Sequence, residues 1–557
     1  MRTIRLLALL LLPSLAWAAD EPPAAPTGVT VSASKEGNDN RFAFEGGTFP
    51  YVLRLWEGPI GKSTFRGLGL RGPWWKGGKY QTNTWYMNNF MDLAVNGKPV
   101  LGGPDPQKTY PLLFDRMEVL ESGSRALVQY VWERAEGTVR LRFLMRPDCR
   151  ALLAEAVVEP KGALESFALT ASSFPGGYTS KGDGDRRMKT ALRQEKSNAT
   201  VEVDPSQESF FLFCDAKLDL AEPINRRVGG EASGCSGLYL LPDGFASGKV
   251  TLTGYPIDIT FTAKPDVRRL RFAFDELQTP NAEAFQTMQE AAPKVIEILK
   301  TESFAPSALI GFDSEAERAK VGGLSRTPGV PAKLLPPLQQ AMDGAAQTAG
   351  AWQAGGDQPI TIEQNALTAL DLYQRRLLTA QRYTEKALRV FEMRGPGYSR
   401  YRAAEAAKAV APGSVVDGGY LTVGGQSRNV TPFPGTVPDL YKYDAVLMED
   451  IDCRALAPSQ LALLRQYVED GGGIAVFGGW FSYGAGDLQN TTLAEILPLK
   501  VGKAPFGLVQ RPERLQVVAH TTGLKTSPWP DNLVCPWSHD LTVTPDAQPL
   551  FSQGSAP

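Results

Sequence analysis

The sequence predicts a multi-domain protein: an antiparallel β-sandwich, a helical connector and a C-terminal α/β domain built on a parallel sheet. Three observations predict it. Residues 41–279 carry short β-branched and aromatic runs separated by Gly, Pro and Asp turns. Residues 280–386 switch to an apolar repeat of helical period. Residues 387–557 alternate apolar strand-like runs with amphipathic helices, the pattern of a parallel sheet covered on both faces.

The chain opens on an address. Arg2 and Arg5 precede the apolar run Leu6–Leu12, and Ala16-Trp17-Ala18 places small residues where a signal peptidase reads them. Residues 1–18 are therefore expected to be a secretory signal peptide, and the mature protein to be secreted or periplasmic. The apolar run is shorter than the ~20 residues a membrane span needs, and no later run is long enough, so no span is expected after cleavage. Residues 19–40, rich in Pro, Ala and Ser, read as a flexible leader.

Within 41–279 the expected strands include Ala126–Trp132, Val139–Met145, Leu152–Val158, Ser209–Cys214, Leu238–Leu241 and Ile257–Phe261. Turn signals such as Pro175-Gly176-Gly177 and Asp183-Gly184-Asp185 separate them. Many short strands broken this way argue for a sandwich or barrel. In size and texture the region resembles the large sandwiches of the galactose mutarotase type, although a mutarotase-like mechanism needs a histidine here and none precedes residue 300.

In the connector, Ala282–Lys300 and Ile362–Leu388 are expected helices, with a Gly/Pro-interrupted stretch between them. The α/β region then begins with the strand Leu388–Met393 and the helix Tyr398–Val410. Tyr443–Met448 is a buried strand running into Glu449-Asp450-Ile451-Asp452. Pro458–Asp470 is an amphipathic helix capped by three glycines, and Ile474–Phe477 is the next strand.

The strings YKYDAVLMEDID and LAPSQLALLRQYVEDGGGIAVFGGW, followed by Thr492-Leu493-Ala494-Glu495-Ile496-Leu497-Pro498, resemble the glutamine amidotransferase-like domains of secreted bacterial proteins. These are relatives of the ThuA-like and class I amidotransferase fold. The resemblance covers about the last 170 residues and implies a flavodoxin-like sheet. Related domains continue through further strands, so this copy reads as cut short at Pro557. A class I amidotransferase needs a cysteine on a sharp strand-to-helix turn that exposes the sulfur to oxyanion-stabilising N–H groups. Here that turn reads Gly478-Gly479-Trp480, with Trp480 in the place of the cysteine, and no His-Pro-Glu element follows. The resemblance therefore implies a degenerate turn and no ammonia release from glutamine.

Other residues supply weaker catalytic candidates. Ser482 with His520 or His539 has the types of a nucleophile and its base, but Trp480 breaks the Gly-x-Ser-x-Gly elbow and a polar loop serine is the simpler reading. Glu449, Asp450 and Asp452 end a strand where open α/β sheets bind ligands, and a solvated acidic turn is the plainer alternative. Trp74, Trp75, Tyr80, Trp85 and Tyr86 form an aromatic, Gly-rich stretch suited to stacking on sugar rings; the same residues would serve to fill a sandwich core.

Composition narrows the function classes. With 58 Lys and Arg against 60 Asp and Glu, the net charge of −2 supplies no field for nucleic acid. Two histidines and five cysteines without a CxxC or Cys/His cluster give no metal site, and no cofactor motif appears. Cys214 and Cys235 are the most plausible disulfide pair in an oxidising compartment. The function expected is a binding or scaffold protein for carbohydrate or a cell-surface polymer. The alternatives are a hydrolase of glycans or amides and an envelope module that docks a protein partner.

Overall fold

The structure is a computed structural model. It describes residues 28–553 except 37–38, 48–49, 61–62, 72–83, 86–88, 102–115, 177–183, 223–233, 353–357, 385–386, 425–426, 503–507, 511–513 and 518–536.

Two large antiparallel sheets dominate. One runs Val29–Glu36, Asp39–Gly46, Val52–Ile60, Ser63–Arg71, Met91–Val95, Phe167–Ser173, Ile257–Ala263, Phe245–Leu252 and Ala199–Val203 in spatial order. The other runs Gln194–Glu195, Arg186–Lys189, Phe210–Asp215, Cys235–Leu240, Arg269–Leu277, Cys149–Pro160, Gly137–Arg146, Ala126–Glu133 and Arg116–Glu121. Alternating side chains from both, among them Phe42, Leu53, Leu93 and Phe261 from the first and Tyr130, Phe143, Leu152 and Phe272 from the second, bury one shared core. The strands expected from the sequence pattern fall on the observed ones to within a few residues.

Val29–Glu36, expected to lie in a flexible leader, is an eight-residue strand paired with Asp39–Gly46. Its alternation corrects the expectation: Val29, Val31 and Ala33 face inward and are buried.

The second sheet is apolar on both faces over part of its width. Its outer face is covered by the helix Asn281–Thr301, which sets Ala284, Met288, Val295 and Leu299 against Leu153, Leu212 and Tyr239. The Gly/Pro-interrupted stretch that follows is more helical than expected. It forms Ser307–Ile310, Ser314–Leu324 and Leu335–Ala351 before the long helix Ile360–Arg382. Prolines at the first turns are compatible with helix because the missing N–H has no intrahelical partner there.

A third sheet carries the site. In spatial order it is Ser427–Thr431, Val415–Gly424, Arg389–Arg394, Ala445–Glu449 and Gly473–Phe477. The first two strands are an antiparallel hairpin, which the sequence reading passed over; the remaining neighbours are parallel. The expected helix Tyr398–Val410 is a 3₁₀ turn at Tyr398–Arg400 followed by a helix at Ala403–Val410. No described helix is long and apolar enough to cross a membrane.

Candidate functional site at the strand ends of the parallel sheet

In chain order the parallel strands lie second, first, third, fourth. The connections therefore reverse direction between Arg389–Arg394 and Ala445–Glu449, and the crevice beyond the carboxyl ends of these two strands is where such sheets take ligands.

Parallel register fixes what meets there. Glu392 lies beside Leu447 and Arg394 beside Glu449. On the other flank Glu392 lies beside Gly418 and Arg394 beside Tyr420. Period-two alternation then puts Glu392, Arg394, Tyr420, Glu449 and Phe477 on one face. Gly418 is small because the Arg394 guanidinium fills its place, 2.6 Å from where a Cβ would stand.

The two glutamates form the unusual part of this face. Both are buried. Glu392 accepts from Arg394 Nε at 2.5 Å, and Arg394 also donates to the Tyr420 hydroxyl at 2.8 Å. The guanidinium lies 5.0 Å from the Tyr420 ring and 5.8 Å from the Tyr398 ring. Neither carboxylate oxygen of Glu449 has a donor. Burial, reinforced by the adjacent Glu392, pushes the Glu449 carboxyl up to about 8. Burial beside Glu392 thus favours the protonated form of the Glu449 carboxyl.

Asp450 has different surroundings one residue later. It has a left-handed backbone, φ 54°. Its Oδ1 accepts the Phe481 N–H at 2.6 Å and lies 3.4 Å from the Ser482 hydroxyl. Gly479 and Gly395 press so closely that a Cβ on either would lie 2.2 Å from Asp450 Oδ1 and 2.0 Å from its carbonyl oxygen. Asp450 therefore holds the Gly478–Ser482 turn in shape.

The same turn engages His539. The Gly479 N–H donates to His539 Nε2 at 3.1 Å, which places the imidazole proton on Nδ1. The ring lies 4.6 Å from that of Tyr483. Burial holds the imidazole below its ordinary range, while the charge of Asp450 opposes that shift.

These contacts correct the catalytic expectations. Ser482 is buried and turned to Asp450, and His539 spends its acceptor nitrogen on a backbone amide, so the two do not form a nucleophile–base pair. Asp452 is saturated: it pairs with Arg428, accepts from Arg454 Nε at 2.8 Å and Nη2 at 2.9 Å, and caps its own 3₁₀ turn. Its role is to join the hairpin to the following turn. Trp480, between Gly479 and Phe481, is 64% exposed, and Phe481 is 43% exposed.

Of the aromatic stretch, Trp85 is fully buried, its indole N–H donating to the Asp275 carbonyl at 2.9 Å and its ring edge-on to Phe274 at 4.9 Å. It fills the sandwich core, which corrects the expectation that it binds ligand. Trp74, Trp75, Tyr80 and Tyr86, like His520, lie outside the described residues. Cys214 and Cys235 are free, buried thiols. Among the described residues no three His, Cys, Asp or Glu side chains gather as metal ligands.

Sequence reading named Glu449 only together with Asp450 and Asp452, and missed Glu392, Arg394, Tyr398 and Tyr420. A usable signal existed. Glu392 interrupts Val390-Phe391-Glu392-Met393, an apolar run of the kind expected for a central parallel strand.

No family model and no curated protein matches this sequence. Some solved structures superpose on parts of it. One is a chondroitinase AC lyase in complex with oligosaccharides, at 8% identity and TM-score 0.27 over 45% of this chain and 37% of that one. A GH36 α-galactosidase of Geobacillus stearothermophilus gives 10% identity and TM-score 0.24 over 51% of this chain and 48% of that one. An α-galactosidase of Lactobacillus brevis gives 8% and 0.26 over 79% and 76%. This chain therefore spans less than half the length of the first two. Likeness at this level carries no argument about activity, and none of the three is an amidotransferase.

Proposed function

We propose that the strand-end crevice of the parallel sheet is a carbohydrate-binding site in an exported binding protein. On this reading the amidotransferase-like turn has exchanged a nucleophile for a stacking platform. One observation carries the proposal. Trp480 and Phe481, 64% and 43% exposed, follow the carboxyl end of Gly473–Phe477, where the Phe481 N–H meets Asp450, and Tyr420, 45% exposed, lies on Arg394. Exposed aromatic faces take up the C–H faces of pyranose rings, and carboxyl and guanidinium groups hydrogen-bond the hydroxyls.

The test is affinity electrophoresis of residues 19–557 through gels containing a panel of polysaccharides. Retardation by at least one polymer is expected, with Trp480→Ala weakening it about tenfold, the scale of one lost buried aromatic contact. Retardation unchanged by Trp480→Ala and Phe481→Ala, with circular dichroism unaltered, would move the site elsewhere.

A second reading, a glycan hydrolase, is favoured by the pairing of two carboxyl groups, Glu392 and Glu449, at the strand ends, where burial and the adjacent Glu392 raise the Glu449 carboxyl. Paired carboxyl groups serve glycoside hydrolysis as acid and nucleophile once substrate holds them roughly 5 Å apart. Release of new reducing ends from a retained polymer, abolished by Glu449→Gln, would select this reading over simple binding.

A further inference from the structure

Cys214 and Cys235 are placed for a bond that the structure shows only as a thiol pair. They end and begin two neighbouring antiparallel strands, Phe210–Asp215 and Cys235–Leu240. Their register runs from Phe210 opposite Tyr239 to Phe213 opposite Ser236, so the next facing pair is Cys214 and Cys235. Directly opposed residues of an antiparallel ladder have Cα atoms roughly 4.5–5.5 Å apart. That lies inside the span of about 4.4–6.8 Å that a disulfide bridges. The side chains also leave the same face of the sheet, because directly opposed residues of an antiparallel ladder do so.

The surroundings favour a closed bond over a reactive thiol. Both residues are fully buried in the apolar layer under the helix Asn281–Thr301. The Cys235 thiol donates to Asn281 Oδ1 at 3.1 Å, and Asn281 Nδ2 donates to the Asp215 carbonyl at 2.9 Å. The neighbouring Cys214 thiol and burial hold the Cys235 thiol well above its ordinary range, so little thiolate exists once the fold has closed. Cys149 lies elsewhere in the same layer with its thiol on the Ala151 carbonyl, and Cys453 belongs to the separate core of the parallel sheet.

We propose that Cys214 and Cys235 form an intrachain disulfide when the chain folds under oxidising conditions. The reaction is exchange with a disulfide oxidant of the glutathione class. Two protein thiols lose their protons and join, the oxidant's S–S bond breaks, and two oxidant thiols take up the protons and the electron pair. Exchange precedes docking of the Asn281–Thr301 helix, which afterwards shields the bond from reductant. The disulfide closes a segment that begins at Asp215, itself ion-paired with buried Arg186 at 3.0 Å.

The experiment uses the full mature chain, reduced, unfolded and refolded in oxidised and reduced glutathione, then alkylated in denaturant and digested with trypsin. The expected product is one species joining peptides 197–217 and 228–249, which separates on reduction. Recovery of both peptides fully alkylated, or of Cys214 joined to any other cysteine, overturns the proposal. Stability gives a second readout. The wild-type denaturation midpoint should rise after oxidative refolding, while that of Cys214→Ala should be the same with or without oxidant. A wild-type midpoint indifferent to oxidant would also overturn it.

Discussion

Glu449 and Asp450 are adjacent in sequence and end the same strand, yet the fold gives them opposite partners. Asp450 receives a backbone N–H at 2.6 Å, while Glu449 receives no donor and faces Glu392. The consequence is readable in pH. Burial and the adjacent Glu392 push the Glu449 carboxyl from an ordinary value of 4.5 up to about 8. Buried Glu276, whose Oε1 accepts the Thr84 N–H at 3.2 Å, is also pushed up to about 8 by burial. Between these limits the native state keeps protons that the unfolded state has released. Stability contributed by both groups is therefore complete below about pH 4.5 and is lost as pH rises through 8. Urea midpoints at pH 5 and pH 8 should show this decline, and Glu449→Gln should reduce it by about 1–3 kcal/mol. A variant whose midpoint falls as steeply as the wild type would show that Glu449 is not the protonated member of its pair. Sequence alone marked the acids of the strand end, because carboxylates cluster there. It did not rank them, since ranking depends on donors supplied by Phe481 and Ser482 and on a glutamate 57 positions away.

The helix Ile360–Arg382 shows how one element joins the larger parts. Twenty-three residues at 1.5 Å each give a strut of about 34 Å. Near its start Glu363 lies between two buried arginines of the sandwich, accepting from Arg140 at 2.5 Å and Arg142 at 2.6 Å. Near its end Arg375 pairs with Asp470, and Arg382 donates to the Tyr443 carbonyl at 3.0 Å. Against the cost of burial, the two guanidinium groups hold the Glu363 carboxyl down at about 2. Its stabilising effect is therefore present above about pH 4.5 and lost as pH falls towards 2. Removing one partner of a buried ion pair strands the other, so Glu363→Ala should cost about 3–5 kcal/mol in chemical denaturation. Glu363→Gln, which keeps the shape and two hydrogen bonds, should cost less. The helix itself was legible from its apolar spacing. Its polar anchor was not, because Glu363 in sequence is one more first-turn acid of the kind any helix carries.

At the scale of the molecule, the first strand is shared between parts. Val29–Glu36 closes the edge of a sandwich sheet, and its Ala33 carbonyl accepts from Gln460 Nε2 at 2.7 Å. Gln460 stands in the first turn of the helix Pro458–Glu469, which packs on the parallel sheet, and its Oε1 also takes the Ala457 N–H at 2.8 Å. A chain beginning at residue 37 should therefore lose more than an edge strand. Its melting temperature is expected to fall by more than about 5 °C, and limited proteolysis should cut sooner between the sandwich and the α/β region. Equal melting temperatures for chains beginning at residue 37 and at residue 19 would mean that this strand adds nothing to the whole. The Pro/Ala/Ser bias upstream concealed the strand, since the three inward residues Val29, Val31 and Ala33 are small and few.

The sequence by itself determined where strands give way to helices, the apolar faces that close two sheets on one core, and the absence of a cysteine from the Gly478–Trp480 turn. These are local properties: period, turn chemistry and the identity of one side chain. Only the tertiary structure decided that Trp85 is core, that Ser482 and His539 serve the turn, and that Glu392 meets Glu449 under Arg394. Those outcomes depend on strand order and register, which bring residues from distant parts of the chain within hydrogen-bonding reach. Burial and charge then act on what register has assembled, and no window of sequence contains that information.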